Sequence, residues 1–159
     1  MLEQDLKNLR TAIALASEAK ALGFHPFGAL VVAGDGDLLA QAGNASCKAD
    51  SDCTRHAELI AVSEASRRFP RQRLAGATLY SSAEPCAMCA GALYWSGIGR
   101  LIYALSEERL LKLTGNHPDN PTLSLPCREV FARGQRPIEV IGPVLEDEAA
   151  AAHAGFWTR

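Results

Sequence analysis

The sequence lacks the features that mark membrane-spanning and exported proteins. No apolar run approaches the ~20 residues that a membrane span requires. The first ten residues, MLEQDLKNLR, carry charges of both signs and contain no apolar core of the kind found in signal peptides. We therefore expect a cytoplasmic protein without a membrane partner.

Neither sign of charge predominates in the sequence. The 16 Lys and Arg residues oppose 18 Asp and Glu residues, which leaves a net charge of −2 at pH 7. Such a balance predicts no general affinity for nucleic acids or other polyanions. The basic cluster RRFPRQR at 67–73 is interpreted as the solvated end of a helix, where arginines complement the helix dipole. A nucleic-acid patch is the alternative, but no aromatic stripe accompanies the cluster.

The cysteine content argues against a disulfide framework. The five cysteines are an odd number, and no export signal accompanies them. In such a chain, two cysteines close together more often bind a metal or perform redox chemistry. Cys86 and Cys89 form a close pair of this kind.

Strand-like and helix-like segments alternate along the chain, which predicts one layered α/β domain over residues 1–159. We expect Asp52 or Thr54 near the N-cap of the second helix, and Pro85 at the start of the third. The predicted strands are 27–33, 38–42, 77–82, 100–105 and 138–142, and the predicted helices are 2–22, 56–69, 86–95, 107–112, 128–133 and 146–156.

The segment Pro85-Cys86-Ala87-Met88-Cys89 has the spacing of a metal clamp. Two thiols three positions apart on a helix face the same way. They also lie in the first turn, where the free N–H groups and the helix dipole favour thiolates. Zinc accepts sulfur and imidazole ligands in a tetrahedron. A redox pair, or half of a structural zinc site, is the alternative for this segment taken alone.

His56 and Glu58 complete a candidate catalytic zinc site. His56 begins another helix and can meet Cys86 and Cys89 if the two helix starts face each other, which leaves a fourth metal position open. Two helical steps turn the chain by about 200°, but at a helix start Glu58 can still lean over the open position. There it can accept a proton from a metal-activated water and return it to a leaving amine.

His-Ala-Glu at 56–58 followed by Pro-Cys-Ala-Met-Cys at 85–89 resembles the zinc-dependent base deaminases. The sequence is similar to the cytidine deaminase-like superfamily, and within it to the guanine deaminase and tRNA adenosine deaminase branch. The similarity runs from about Leu6 to about Ala104 and includes HPFGALVV, a Gly-Asn pair at 43–44 and IGRLIYA. It departs from the family at Cys53 and Arg55, where proline and alanine are usual.

The resemblance implies a three-layer α/β/α fold on a mixed five-stranded sheet. It also implies that a zinc-bound hydroxide attacks an amino-bearing ring carbon while Glu58 shuttles the proton. The substrate contacts that it implies are Asn44, Phe27 and Ala57.

Three functions remain open at this point. The favoured one is an aminohydrolase that acts on a small guanine-, cytosine-, pterin- or triazine-like ring, because Phe27 and the Ala-Leu-Tyr-Trp run resemble guanine deaminases. The second is tRNA adenosine-to-inosine deamination, which requires phosphate contacts that the acidic C-terminal stretch does not favour. The third is a non-catalytic zinc-stabilised module, against which Glu58 argues. Asp119 is a candidate contact for an exocyclic amine.

The C-terminal aromatics and the assembly state give the last predictions. Phe156 and Trp157 follow an alanine-rich helix, and we expect them to dock as core, as a lid over the zinc pocket or across an interface. The lid is preferred by analogy with guanine deaminases, which makes Trp157 a candidate substrate contact. The resemblance also implies a homodimer.

Overall fold

The computed structural model describes residues 1–46 and 52–158, so Cys47, one of the five cysteines, lies outside the described residues. The sheet and its flanking helices use segments from almost the whole length of the chain. The helices are α1 (Glu3–Ala21), α2 (Ala57–Arg68), α3 (Arg71–Ala75), α4 (Ala87–Ser96), α5 (Glu107–Thr114), α6 (Cys127–Ala132) and α7 (Glu146–Ala152), and the strands are β1 (Gly28–Val32), β2 (Leu38–Gly43), β3 (Thr78–Ala83), β4 (Arg100–Leu105) and β5 (Glu139–Ile141).

The five strands form one mixed sheet in the order β2-β1-β3-β4-β5. β1 runs antiparallel to both β2 and β3, whereas β3, β4 and β5 are parallel to one another. The hairpin connection suits the antiparallel β1–β2 pair, and the helical connections suit the parallel pairs. The expected mixed five-stranded sheet is confirmed.

Two separate hydrophobic clusters cover the two faces of the sheet. Successive side chains of a strand point to opposite faces, and in β4 Leu101 and Tyr103 belong to one cluster while Ile102 and Ala104 belong to the other. Helices α2, α4 and α6 contribute to the first cluster, and α1, α5 and α7 to the second. The three-layer α/β/α arrangement is therefore confirmed.

Several helix boundaries differ from the predictions. The terminal helix α7 ends at Ala152 and not at Phe156, because the chain continues in turns. His56 itself is the N-cap of α2, while Asp52 uses its Oδ1 atom to accept hydrogen bonds from the backbone N–H and hydroxyl of Thr54 in the preceding turn. The basic cluster does not simply end α2, because a second short helix, α3, starts after Pro70. None of the helices in the described part of the chain is both long and apolar enough to cross a membrane.

β2 and β3 run in the same direction, so the helices that follow them, α2 and α4, begin at the same edge of the sheet. β3 ends at Ala83, and the chain reaches α4 through Glu84, Pro85 and Cys86. Helix α2 packs against both β1 and α4. Open α/β sheets bind their ligands outside the carboxyl ends of the strands, and this edge carries the predicted site.

Candidate active site

Three metal-ligating side chains meet where α2 and α4 begin. His56 is the N-cap of α2, Cys86 is the N-cap of α4, and Cys89 lies in the first turn of α4. The Nδ1 atom of His56 is 3.6 Å from the sulfur of Cys86 and 3.6 Å from the sulfur of Cys89. All three ligand atoms lie within 4.8 Å of one another. The structure thus brings the predicted ligands together.

The spacing of these atoms fits a tetrahedral zinc ion. With Zn–S distances of about 2.3 Å and Zn–N distances of about 2.0–2.1 Å, a sulfur and a nitrogen ligand stand about 3.6 Å apart. The observed sulfur-to-nitrogen distances have this value. Because the group has three members, a fourth coordination position stays available, as catalytic zinc sites require.

The three ligands differ in how readily they give up the protons that zinc must displace. The hydrogen bond from Cys89 lowers the pKa of Cys86 to about 4, and His56 contributes to the same shift. This contact and burial together raise the pKa of Cys89. The hydrogen bond to Cys86 raises the pKa of His56. Zinc binding releases the remaining protons, because zinc binds thiolates and neutral imidazole.

Glu58 lies beside the three ligands in the first turn of α2. Its Oε2 atom is 4.0 Å from the sulfur of Cys89, and its Oε1 atom is 3.2 Å from the hydroxyl oxygen of Ser81. The side chain is only 5% exposed, and burial raises the pKa of Glu58 to about 7, although His56 opposes this shift. A carboxyl group with a pKa near neutrality can both accept and return a proton at neutral pH.

A cavity of about 730 Å³ opens onto Glu58 and the three ligands. Phe27, Asn44 and Asp119 all line it, as expected for substrate contacts. Asn44 is buried, and its Oδ1 atom accepts hydrogen bonds from the backbone N–H and hydroxyl of Ser46. Its amide nitrogen is therefore the group that remains for donation to a substrate.

Two of the predicted substrate contacts lie behind the cavity wall. Ala57 is fully buried at the start of α2, so its backbone N–H, which has no acceptor within the helix, is the group that could contact substrate. Trp157 packs against His25 and Phe27 with ring centroids 4.9 and 6.4 Å away, and its Nε1 atom donates to Nδ1 of His153. The tail docks on its own chain, and direct substrate contact by Ala57 and Trp157 stays a prediction.

Replacing Trp157 with alanine is expected to lower the free energy of unfolding by about 3–5 kcal/mol, as is usual when a large buried aromatic is truncated. The indole is only 8% exposed. Chemical denaturation monitored by circular dichroism measures the change. Trp95→Ala is the matched control, because Trp95 is 77% exposed and its loss should alter stability by no more than about 0.5 kcal/mol. Equal losses in both variants would refute a specific role for the tail cluster.

The sequence analysis missed several polar residues of the cavity wall, among them the titratable residues His25, Glu84 and Glu107. No regular spacing links them to the zinc motifs. The position of Glu84, directly before Pro85 and Cys86, was the one available signal. Burial raises the pKa of Glu107 to about 7, and the neighbouring Glu84 adds to this shift.

Glu84 joins the two ends of one part of the wall, residues 107–127, which we call the wall segment. Its Oε2 atom accepts a hydrogen bond of 3.0 Å from the backbone N–H of Glu107, and its Oε1 atom accepts one of 3.1 Å from that of Cys127. The wall segment contributes Asp119 to the cavity. One buried carboxylate therefore sets the position of both α5 and α6 relative to the turn that carries Cys86.

An α/β/α fold with a His-Cys-Cys group and a buried glutamate at the edge of the sheet defines a zinc-dependent hydrolase site. Residues 2–105 match the family described as the cytidine and deoxycytidylate deaminase zinc-binding region. The chain belongs to this family and is a zinc-dependent deaminase of nucleobase-like substrates.

Known relatives of the chain differ in substrate. A probable cytosine deaminase of Schizosaccharomyces pombe is 44% identical over 155 residues, which cover 98% of this chain and 93% of the relative. A tRNA-specific adenosine deaminase of Haemophilus influenzae is 41% identical over 107 residues, covering 67% of this chain and 61% of the relative. The structure of a guanine deaminase from Nitrosomonas europaea superposes with a TM-score of 0.74 at 26% identity, covering 96% of this chain and 84% of that one.

Proposed function

We propose that this protein hydrolyses the exocyclic amino group of a free nucleobase, with cytosine as the first substrate to test. The reaction adds the oxygen of water to the amino-bearing ring carbon, breaks the carbon–nitrogen bond and releases ammonia. Guanine, pterin-like and triazine-like rings share the amidine-like carbon and remain within the proposed class.

The charge of the cavity wall is the observation that carries this proposal. Its described lining includes the carboxyl groups of Glu58, Glu84, Glu107 and Asp119 but contains no lysine or arginine. An enzyme that holds an RNA loop needs cationic contacts to phosphates. A wall of this composition instead favours an uncharged ring rich in N–H groups, and its volume lies in the range of small-molecule sites.

The degree of similarity supports the same choice. The probable cytosine deaminase is 44% identical along almost the whole chain, whereas the tRNA-specific relative from Haemophilus influenzae matches over two thirds of it, and the one from Bacillus subtilis, which covers 97% of it, is 30% identical. Deamination of adenosine in tRNA is the second candidate, because the relative from Haemophilus influenzae is nearly as identical over the residues it does match.

Each residue of the site has a separate role in the proposed reaction. His56, Cys86 and Cys89 would hold the zinc ion, which when bound supplies Lewis-acid activation of water. Glu58 accepts the proton of the water and delivers it to the departing nitrogen. Phe27 packs against the ring, and the amide nitrogen of Asn44 donates a hydrogen bond to it.

An ammonia-release screen of the purified, zinc-loaded protein tests the proposal. The panel contains cytosine, isocytosine, guanine and a 2-aminopterin, together with cytidine, guanosine and an anticodon stem-loop RNA that carries adenosine. We expect kcat/KM for at least one free base to exceed the values for nucleosides and RNA by about a hundred-fold or more, because the wall lacks phosphate contacts. Turnover confined to the RNA would refute the proposal and establish the second candidate. Sedimentation of the same sample tests the predicted homodimer.

A further inference from the structure

The side chain of His25 forms a rigid part of the cavity wall. It precedes Pro26 and β1, and it is only 6% exposed. Its ring packs against Trp157 and Phe156 with centroid distances of 4.9 and 5.5 Å, both edge-to-face. The imidazole also lines the cavity that contains Glu58. Packing against Phe156 and Trp157 thus fixes the ring, and its other edge faces a ligand bound in the cavity.

The nitrogens of this imidazole have no hydrogen-bond partner within the described part of the chain. Neither nitrogen is among the buried side-chain atoms that lack a partner in the described chain, so both reach open space. That space is the cavity, where a bound molecule can pair with them. Burial lowers the pKa of His25, with Asp119 acting in the opposite direction, and a neutral imidazole carries one N–H donor and one acceptor nitrogen.

The chemistry of the surrounding wall indicates what this imidazole contacts. Carboxyl groups of Glu107 and Asp119 supply acceptors for the N–H groups of a base. Donors for a ring carbonyl are scarcer, and Asn120 already donates from its amide to the hydroxyl of Thr122. Asn44 and His25 are buried lining residues of the described chain whose side chains can offer the cavity an unused N–H group.

We propose that His25 is a specificity-determining residue whose imidazole donates a hydrogen bond to the carbonyl of the bound base, so that the protein selects amino-substituted rings that also carry an oxo group. This inference rests on the proposed function and extends it, because it assigns a substrate feature that neither the zinc ligands nor Glu58 distinguishes.

The test compares paired bases of which one lacks the oxo group together with the ring N–H of the lactam, namely cytosine with 4-aminopyrimidine and guanine with 2-aminopurine. For His25→Phe, which keeps an aromatic ring against Trp157, we expect kcat/KM for the oxo-bearing base to fall about ten- to a hundred-fold, mainly through KM, as the loss of a buried hydrogen bond predicts. The value for the partner without the oxo group should change by less than about two-fold. His25→Gln, which retains an N–H donor, should recover part of the loss.

His153→Phe is the matched control, because His153 packs on Phe27 and Trp157 but does not line the cavity. It should preserve the preference for oxo-bearing bases even if stability falls. Zinc content and melting temperature verify each variant, and His25→Leu replaces His25→Phe if the latter does not fold. An unchanged preference in a folded, zinc-loaded His25 variant overturns the inference. If the wild type turns over no free base, the proposed function fails first, and the wild-type measurement alone reveals it.

Discussion

Replacing Glu58 with glutamine is expected to reduce turnover about a thousand-fold or more while the fold and the zinc content stay unchanged. The amide has nearly the same shape as the carboxyl group, so the packing beside Ser81 and Cys89 is preserved. It cannot accept the proton of the attacking water or deliver one to the leaving nitrogen. Single-turnover ammonia release on the best base, measured beside metal analysis and circular dichroism, gives the result.

Glu64→Gln is the matched control for this variant. Glu64 lies on the same helix, α2, but its side chain is 46% exposed and pairs with Arg67 and Arg68 at the surface. Its replacement should leave turnover within about two-fold of the wild type, because surface ion pairs contribute little. Near-wild-type turnover in Glu58→Gln would mean that another group shuttles the proton.

Removing either thiolate ligand should have the next largest effect. In Cys86→Ala or Cys89→Ala we expect zinc content to fall from about one ion per chain to a small fraction of that value, and turnover to fall with it. Two remaining ligands cannot hold zinc tightly, since protein zinc sites use three or four ligands. Plasma emission spectrometry after dialysis against a weak chelator measures the loss.

Cys127→Ala separates loss of the metal from loss of stability. Cys127 is fully buried at the start of α6 and is not part of the His-Cys-Cys group. Its replacement should lower the melting temperature yet leave the zinc content unchanged. Full zinc occupancy in both the Cys86 and Cys89 variants would disprove the ligand assignment.

The zinc group was predictable because its determinants are local. Pro85 and the three-residue spacing of Cys86 and Cys89 place both sulfurs at one helix start, and His56 begins the other helix. Hydrophobic periodicity likewise predicted all five strands. The short helix α3 was missed because its five residues show no periodic pattern of apolar side chains. Pro70 precedes it, and a proline at this place was interpreted as part of the end of α2.

The wall of the cavity was less accessible to sequence reasoning because distant segments build it. His25 precedes β1, whereas Asp119 and Glu107 come from a segment that follows β4. These three residues line the same cavity only because of the order of the strands in the sheet. Asp119 was proposed as a candidate contact from its place in the loop before Pro121. His25 was overlooked because an isolated histidine before a proline has no local partner that would indicate its role.

The bridge formed by Glu84 has a consequence for how substrate range can change during evolution. Both ends of the wall segment are pinned by the same carboxylate, and this residue belongs to the turn that leads into Cys86. Insertions or exchanges in the middle of the segment, around 115–126, therefore leave its anchors and the zinc turn in place, and lengthening a loop between fixed ends costs little free energy. Specificity for new rings can arise there without a change in the zinc site. A change at Glu84 itself would disturb the wall segment and the zinc turn together.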